Sequence, residues 1–335
     1  MTRTSIASHM TPALGVAVLA LVVGAATTAS AQVLEIEINN GVFYVYDTTD
    51  PFKFATVPAV VPPWSGGPSP RNFFTGVFIA DIVSVNGRPA RGVMVRRGTR
   101  VGLTTNQLPG QAIADTTRGF IDDGVWEIQT AEGTAVGTLT THGFIGGLPP
   151  PGAPAAANGT NLAVTGGTGA FLGAGGQLTA APGGSGRVQA SVTEDPATRR
   201  INGGNRSRFL VQLVPAFRPE IVVAPNGRAV FRAADHAPVT TGHPATAGEE
   251  LTLEAGGLGP SVPSVTGGGS QLAVGPLEVV IDGLVAQVTA VASDPQTPDV
   301  YRISFVVPNG VASPVATLSL SSAWVSSSPV QFPAR

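Results

Sequence analysis

Few residues in this chain have the type and spacing that chemistry needs. There is no Cys among the 335 residues, which removes disulfides, thiol nucleophiles and thiolate metal sites together. His142, His236 and His243 stand in no H-x-H or H-E-x-x-H arrangement, so no metal site and no metal or organic cofactor is expected. No G-x-S-x-G elbow is present to support a Ser-His-Asp hydrolase.

A carboxylate, a set of arginines and a tryptophan remain. Along 75–85, Asp81 shares an alternating face with Val77, Ile79, Val83 and Val85. If that face lines a closed sheet, burial raises the carboxyl pKa and makes it a general acid or hydrogen-bond donor. If it points outward, Asp81 is solvated or pairs with an arginine. The next stretch carries Arg88, Arg91, Arg96, Arg97 and Arg100, with Arg91 and Arg97 on the face of Val93 and Val95. These either meet Asp81 across a cavity or form a solvated basic edge. Trp126 and Ile128 alternate with Glu127 and Gln129, so Trp126 points inward as core or pocket wall. Asp81, Arg91, Arg97 and Trp126 are therefore the ligand-pocket candidates, and no residue is assigned a catalytic role.

Positioning these groups falls to strands. With 43 Gly and 29 Pro the chain is rich in backbone punctuators, and short Val-, Ile-, Phe- and Thr-rich stretches recur between them. None is followed by a helix-period segment of the length that a parallel βαβ unit requires. The expected fold is all-β and antiparallel. Strands are predicted at 34–38, 42–46, 75–85, 91–97, 124–130, 134–141, 162–165, 187–193 and 207–214, and a second set of seven follows Pro215-Ala216-Phe217-Arg218-Pro219. This places a boundary near residue 218. The Pro-rich segments 58–70 and 148–159 read as surface loops.

The run Leu162-Ala163-Val164-Thr165-Gly166-Gly167-Thr168-Gly169-Ala170-Phe171-Leu172-Gly173 resembles a dinucleotide fingerprint only superficially, because the third glycine falls one place late and Gln177–Gly184 cannot continue a helix. It resembles instead the signature of the allene oxide cyclase and dirigent-protein barrel superfamily, and 74–92, 124–133 and 207–214 follow in the same order. The resemblance implies an antiparallel barrel over 32–217, with Gly166, Gly167, Gly169 and Gly173 making a tight connection and Phe171 plugging the barrel end. It further implies a small apolar or phenolic ligand, or an isomerase or cyclase acting in the cavity; a structural surface protein with a solid barrel is the third reading.

Residues 1–31 read as an export signal: Arg3, an apolar run at 13–26 too short to span a bilayer, and Ala29-Ser30-Ala31 at the cleavage point. The mature chain is expected to be secreted or periplasmic, without a membrane span. Its formal charge, −2 before removal of Arg3, gives no attraction for nucleic acid. Asp235-His236-Ala237-Pro238, Pro244–Leu253, Gly256–Pro260 and 301–308 resemble an Ig-like C-terminal domain of exported bacterial proteins, which implies a β-sandwich over 218–335 with a spacer or surface-contact role.

Overall fold

The computed structural model describes residues 31–47, 72–102, 118–145, 160–181, 184–187, 189–191, 194–263, 271–273, 275–293, 297 and 299–335. Residues 1–30, within the segment read as an export signal, and the Pro-rich segments 58–70 and 148–159 lie outside the described residues.

The chain is all-β. Its first sheet contains β1 (Gln32–Asp47), β2 (Asn72–Val85), β3 (Arg88–Gly102), β4 (Arg118–Thr130), β5 (Ala135–Ile145), β6 (Thr160–Gly169), β7 (Gly175–Ala180), β8 (Gln189–Ser191) and β9 (Asn205–Val214). Each of β1 to β7 pairs antiparallel with its neighbour, β7 pairs with β9, and β9 returns to β1, which closes an eight-stranded antiparallel barrel. β8 is an addition: it pairs in parallel with Phe43–Val45 of β1, beyond the point where β9 ends opposite Gly41.

Alternation decides what fills the barrel. Leu34, Ile36, Trp126, Ile128, Leu139 and Leu178 all point inward and are fully buried, so the half of the barrel nearer the β2–β3, β4–β5 and β6–β7 turns is packed solid. Phe171, 1% exposed, closes that end. Its turn depends on Gly169, whose φ of +59° is open to glycine and whose Cβ would stand 2.4 Å from the Val136 carbonyl oxygen. Gly166 and Gly167 lie in β6, and Gly173 follows Phe171 at φ +71°.

Three local features differ from the alternation reading. The segments 34–38 and 42–46 form one strand, bent by a bulge between Asn39 and Val42 where Asn40 adopts φ 54°. The segment 175–180 is a strand although only Leu178 among its side chains is buried, so it carries almost no period-two signal. Of the strand predicted at 187–193, Gln189–Ser191 form β8 while 188, 192 and 193 lie outside the described residues, and the chain then makes a 3-10 turn at Pro196–Thr198 and one helical turn, α1 (Arg199–Asn202).

A second sheet follows: β10 (Glu220–Ile221), β11 (Val230–Arg232), β12 (Glu250–Gly256), β13 (Ser261–Pro263), β14 (Gln271–Ala273), β15 (Leu277–Ile281), β16 (Leu284–Ser293), β17 (Tyr301–Val306), β18 (Val315–Ser322), β19 (Val325–Ser326) and β20 (Val330–Pro333). Its main path, β10-β12-β17-β16-β15-β18-β19, curls around Leu251, Leu253, Val279, Ile281, Phe305 and Leu318 in a sandwich-like core; β13 and β14 form a separate pair. Strand pairing thus divides between Val214 and Glu220, but packing does not. Ala323 and Val325, with Trp324 beside them, belong to the barrel's own hydrophobic cluster. Ser326 accepts backbone hydrogen bonds from Arg218 Nε at 3.2 Å and Gln32 Nε2 at 3.4 Å, and Arg88 of the barrel pairs with Glu278. No described helix is long and apolar enough to cross a membrane.

Candidate functional site

Among the described residues, the barrel interior holds a charged pair, Arg96 with Asp122. On β4, Ile128, Trp126, Gly124 and Asp122 occupy successive inward positions leading away from the closed end, and Met94 and Arg96 do the same on β3. Arg96 Nε donates to Asp122 Oδ1 at 2.8 Å, with side chains only 8% and 5% exposed. The guanidinium lies 5.9 Å from the ring centres of both Phe78 and Phe209, within reach of a cation–π contact with each. Below it, Trp126 packs edge-on against Phe209 at 5.0 Å and donates Nε1–H to Thr141 Oγ1 at 3.2 Å. The floor under the ion pair is therefore aromatic, rigid and hydrogen-bonded.

Gly124 makes room for this arrangement. A Cβ there would stand 2.5 Å from Thr141 Oγ1 and 2.9 Å from Arg96 Cγ. Gly124→Ala is expected to displace one of the two and lower stability by about 1–3 kcal/mol, read by urea unfolding followed through tryptophan emission. An unchanged midpoint would show that the site yields without cost.

Asp81 sits elsewhere. It lies on the outer face of β2 with Ile79 and Val77, opposite Asn39, Val42 and Tyr44 of β1. The described residues of the segment 184–204 cross that face as a strap, with Ala190 on Val42 and Tyr44 and with Arg199 and Arg200 on Asp81. The Asp81 carboxylate accepts from Asn40 Nδ2 at 3.0 Å, from Arg200 Nε and NH2 at 2.9 and 2.7 Å, and from Arg199 NH2. Burial pushes its carboxyl up, but the hydrogen bonds from Arg200 and Asn40 and the charge of Arg199 outweigh that and hold it below the ordinary value. Arg91 and Arg97 are also on the outer face and exposed; Arg97 reaches Asp123, whose other oxygen meets His142 Nδ1 at 2.6 Å. The His142 hydrogen bond holds the Asp123 pKa down. Of the four sequence candidates, only Trp126 lies in the interior, and Asp81, Arg91 and Arg97 do not meet one another there. Val85 parts company with Asp81 because a register shift after Ile82 turns it inward.

The strap carries a second ion pair. Arg187 grips Glu194 through both terminal guanidinium nitrogens at 2.8 Å, and that contact holds the Glu194 pKa at about 2 against an ordinary 4.5. Because Glu194 and Asp81 both have depressed folded-state values, what they contribute is complete above the unfolded value and lost as pH falls through the folded one. Protection of the strap against hydrogen exchange is expected to decline between about pH 4.5 and pH 2 while the Trp126 floor remains protected. Loss of both at one pH would show that the strap is not separately held.

In the second sheet His236 and His243 are exposed, His236 stacking on Phe231 at 4.8 Å. Among the described residues no group of three or more His, Asp or Glu could hold a metal ion. No protein-family model, curated protein or solved structure matches the chain.

Proposed function

We propose that the barrel binds a small apolar or phenolic molecule at the Arg96–Asp122 pair, in an exported protein whose C-terminal domain closes the far end of the barrel and supplies its outer contacts. The observation that carries the reading is that pair. A buried ion pair contributes little to stability beyond what well-packed apolar residues of the same volume would give, so stability alone does not account for one in a barrel filled with Leu, Ile and Val. As a recognition element it accounts for itself: Asp122 can accept from a ligand hydroxyl, Arg96 can donate to its oxygen, and the Phe78 and Phe209 rings, each 5.9 Å from the guanidinium, supply aromatic surface beside the pair. The solidly packed floor beneath Trp126 favours a second reading, in which the barrel is filled throughout and serves as a structural body.

Titration of the intact chain with naphthol, a small phenol, separates the two. Saturable binding is expected, with quenching of tryptophan emission, and affinity is expected to fall at least about tenfold in the doubly substituted Arg96→Met/Asp122→Leu protein. No saturable binding to the wild-type chain, or equal affinity in the double variant, overturns the ligand reading.

A further inference from the structure

β11 and β20, toward opposite ends of the curled second sheet, are joined by residues 237–245. Val239 N–H donates to the Val230 carbonyl at 3.1 Å and Arg232 N–H to the Ala237 carbonyl at 2.9 Å, so residues 237–239 run along the edge of β11. Ala245 N–H donates to the Pro333 carbonyl at 3.0 Å, and the Ala245 carbonyl accepts from Arg335 N–H at 2.9 Å, which ties the same stretch to β20. Between these ties the chain doubles back in a turn where Thr240 and His243 exchange backbone hydrogen bonds at 3.2 and 3.0 Å. The seam is thus bridged at Ala245 and open beside Thr240. The opening is a cleft of about 250 Å³, with Val230, Val239 and Phe332 of the second core as its inner wall and Arg228, Thr240, Thr241 and Gln331 as its polar lining.

The polar lining is hardly used by the fold. Among the described residues, the Arg228 guanidinium, the Thr241 hydroxyl and the Gln331 carboxamide make no hydrogen bond or ion pair. Thr240 Oγ1 accepts from His243 N–H at 3.2 Å and keeps its own proton to donate. Backbone polar groups alternate sides along a strand, so Gln331, two residues before Pro333, also turns its N–H and C=O toward the seam, where no described strand pairs with it. Other exposed arginines are neutralised by carboxylates: Arg206 by Glu37, Arg208 by Glu35 and Arg302 by Glu254. Arg228 is held only through its backbone, whose N–H donates to Asn226 Oδ1 at 3.2 Å and whose carbonyl accepts from Ala224 N–H at 2.8 Å. The turn is fixed, and the charged head stands free at the cleft.

We propose that this cleft is a second binding site, and that it takes one hexuronate ring, a sugar bearing a carboxylate. The chemistry of the lining selects that class. One free guanidinium matches one carboxylate, which it can grip through two parallel N–H bonds; a phosphate near two negative charges would call for a second cation, and the cleft has none among the described residues. The ring hydroxyls meet Thr240, Thr241 and Gln331, while a C–H face of the ring lies against the apolar wall of Val239 and Phe332. The volume is below the roughly 300–1,000 Å³ of sites for drug-sized ligands, so one ring fits and a glycan segment does not. The site stands in the second core and is independent of whether the barrel takes a ligand at Arg96–Asp122.

The test is titration of the full chain with D-glucuronate and D-galacturonate at fixed ionic strength, followed through backbone amide shifts. Saturable shifts are expected at Gly227, Thr240, Thr241 and Gln331, with a dissociation constant of about 1 mM for at least one of the two sugars. Glucose, which lacks the carboxylate, and acetate, which lacks the hydroxyls, are each expected to bind at least about tenfold more weakly. Affinity is expected to fall at least about tenfold in Arg228→Gln and to vanish in Thr241→Trp, whose ring fills the cleft; both replaced side chains are exposed, so the fold is retained. No saturable shift with either uronate overturns the site, as does equal affinity in Arg228→Gln. Acetate binding as tightly as the uronates overturns sugar recognition, and glucose binding as tightly overturns the role of the carboxylate. Saturable shifts that survive Thr241→Trp unchanged place the sugar elsewhere on the chain and overturn the cleft.

Discussion

Asp122→Ala is expected to lower the stability of the barrel by about 3–5 kcal/mol. The reason is what the substitution leaves behind. Arg96 is 7% exposed, its Nε donates to Asp122, and its surroundings are Phe78, Phe209 and the stem-crowding Gly124. Without the carboxylate, a guanidinium remains in an apolar barrel with two ring faces as its nearest named compensation, and cation–π contacts supply only about 0.5–2 kcal/mol each. Arg96→Met alone strands the carboxylate in the same way. The double substitution Arg96→Met/Asp122→Leu removes both charges and is expected to recover most of the loss, so the singles and the double form a cycle with strong coupling. Urea unfolding of the four proteins measures it. A double variant as unstable as the sum of the singles would mean that the pair supports the fold directly, and the argument for a recognition role would lose its main premise.

How far this pair was legible in the sequence depends on which strand is considered. Extending the alternation from Trp126 back through Gly124 reaches Asp122, so its inward direction is available from the sequence, while the adjacent Asp123 points outward and is exposed. On β3 the signal ran the other way. Val93 and Val95 suggested the buried face, yet Val95 is 39% exposed beside Val125, while Arg96 on the opposite face is the buried one. Apolar outer positions and charged inner ones invert the usual pattern of a half-buried strand, and no local rule detects that inversion.

Asp81 illustrates a different limit. Its strand is apolar on both faces because both are covered: Ala80 and Ile82 meet the barrel core, while Ile79 meets Ala190 of the strap. Alternation identified the face that Asp81 shares with Ile79 and Val77 but not its side, since the cover arrives from residues 118 and 119 positions further along the chain. The glycine run was legible for the opposite reason. Gly169 and Phe171 sit in one turn closed by local bonds, Phe171 N–H to the Thr168 carbonyl and Leu172 N–H to the Gly169 carbonyl, whereas the close approach of Val136 to Gly169 comes from β5 and has no local signal.

Removing residues 218–335 is expected to cost the barrel its cooperative fold at ordinary temperature, although every strand of the closed sheet would remain. The closed end of the barrel is not complete in itself. Ala323 and Val325 are 2% and 3% exposed within the cluster that also contains Phe171, Val85 and Leu213, and Trp324 packs against the same cluster. The hairpin tip that delivers them is conformationally costly: Ala323 and Trp324 hold φ values of 47° and 64°, a left-handed pair usually given to Asn and Gly, at about 1–2 kcal/mol each. Such a tip persists only where its contacts over-determine it, and here these include Ser322 Oγ donating to the Leu258 carbonyl at 2.9 Å and Ser326 receiving Arg218 and Gln32. Trp324→Ala in the full-length chain is expected to lower stability by about 2–4 kcal/mol without loosening the second core around Phe305. Thermal unfolding together with hydrogen exchange separates the outcomes. A fall in protection at Phe171 and Leu213 with Phe305 unaffected identifies Trp324 as part of the barrel floor. An equal fall in both cores would make the hairpin a support of its own sheet, and a barrel cut at residue 217 would then be expected to fold alone.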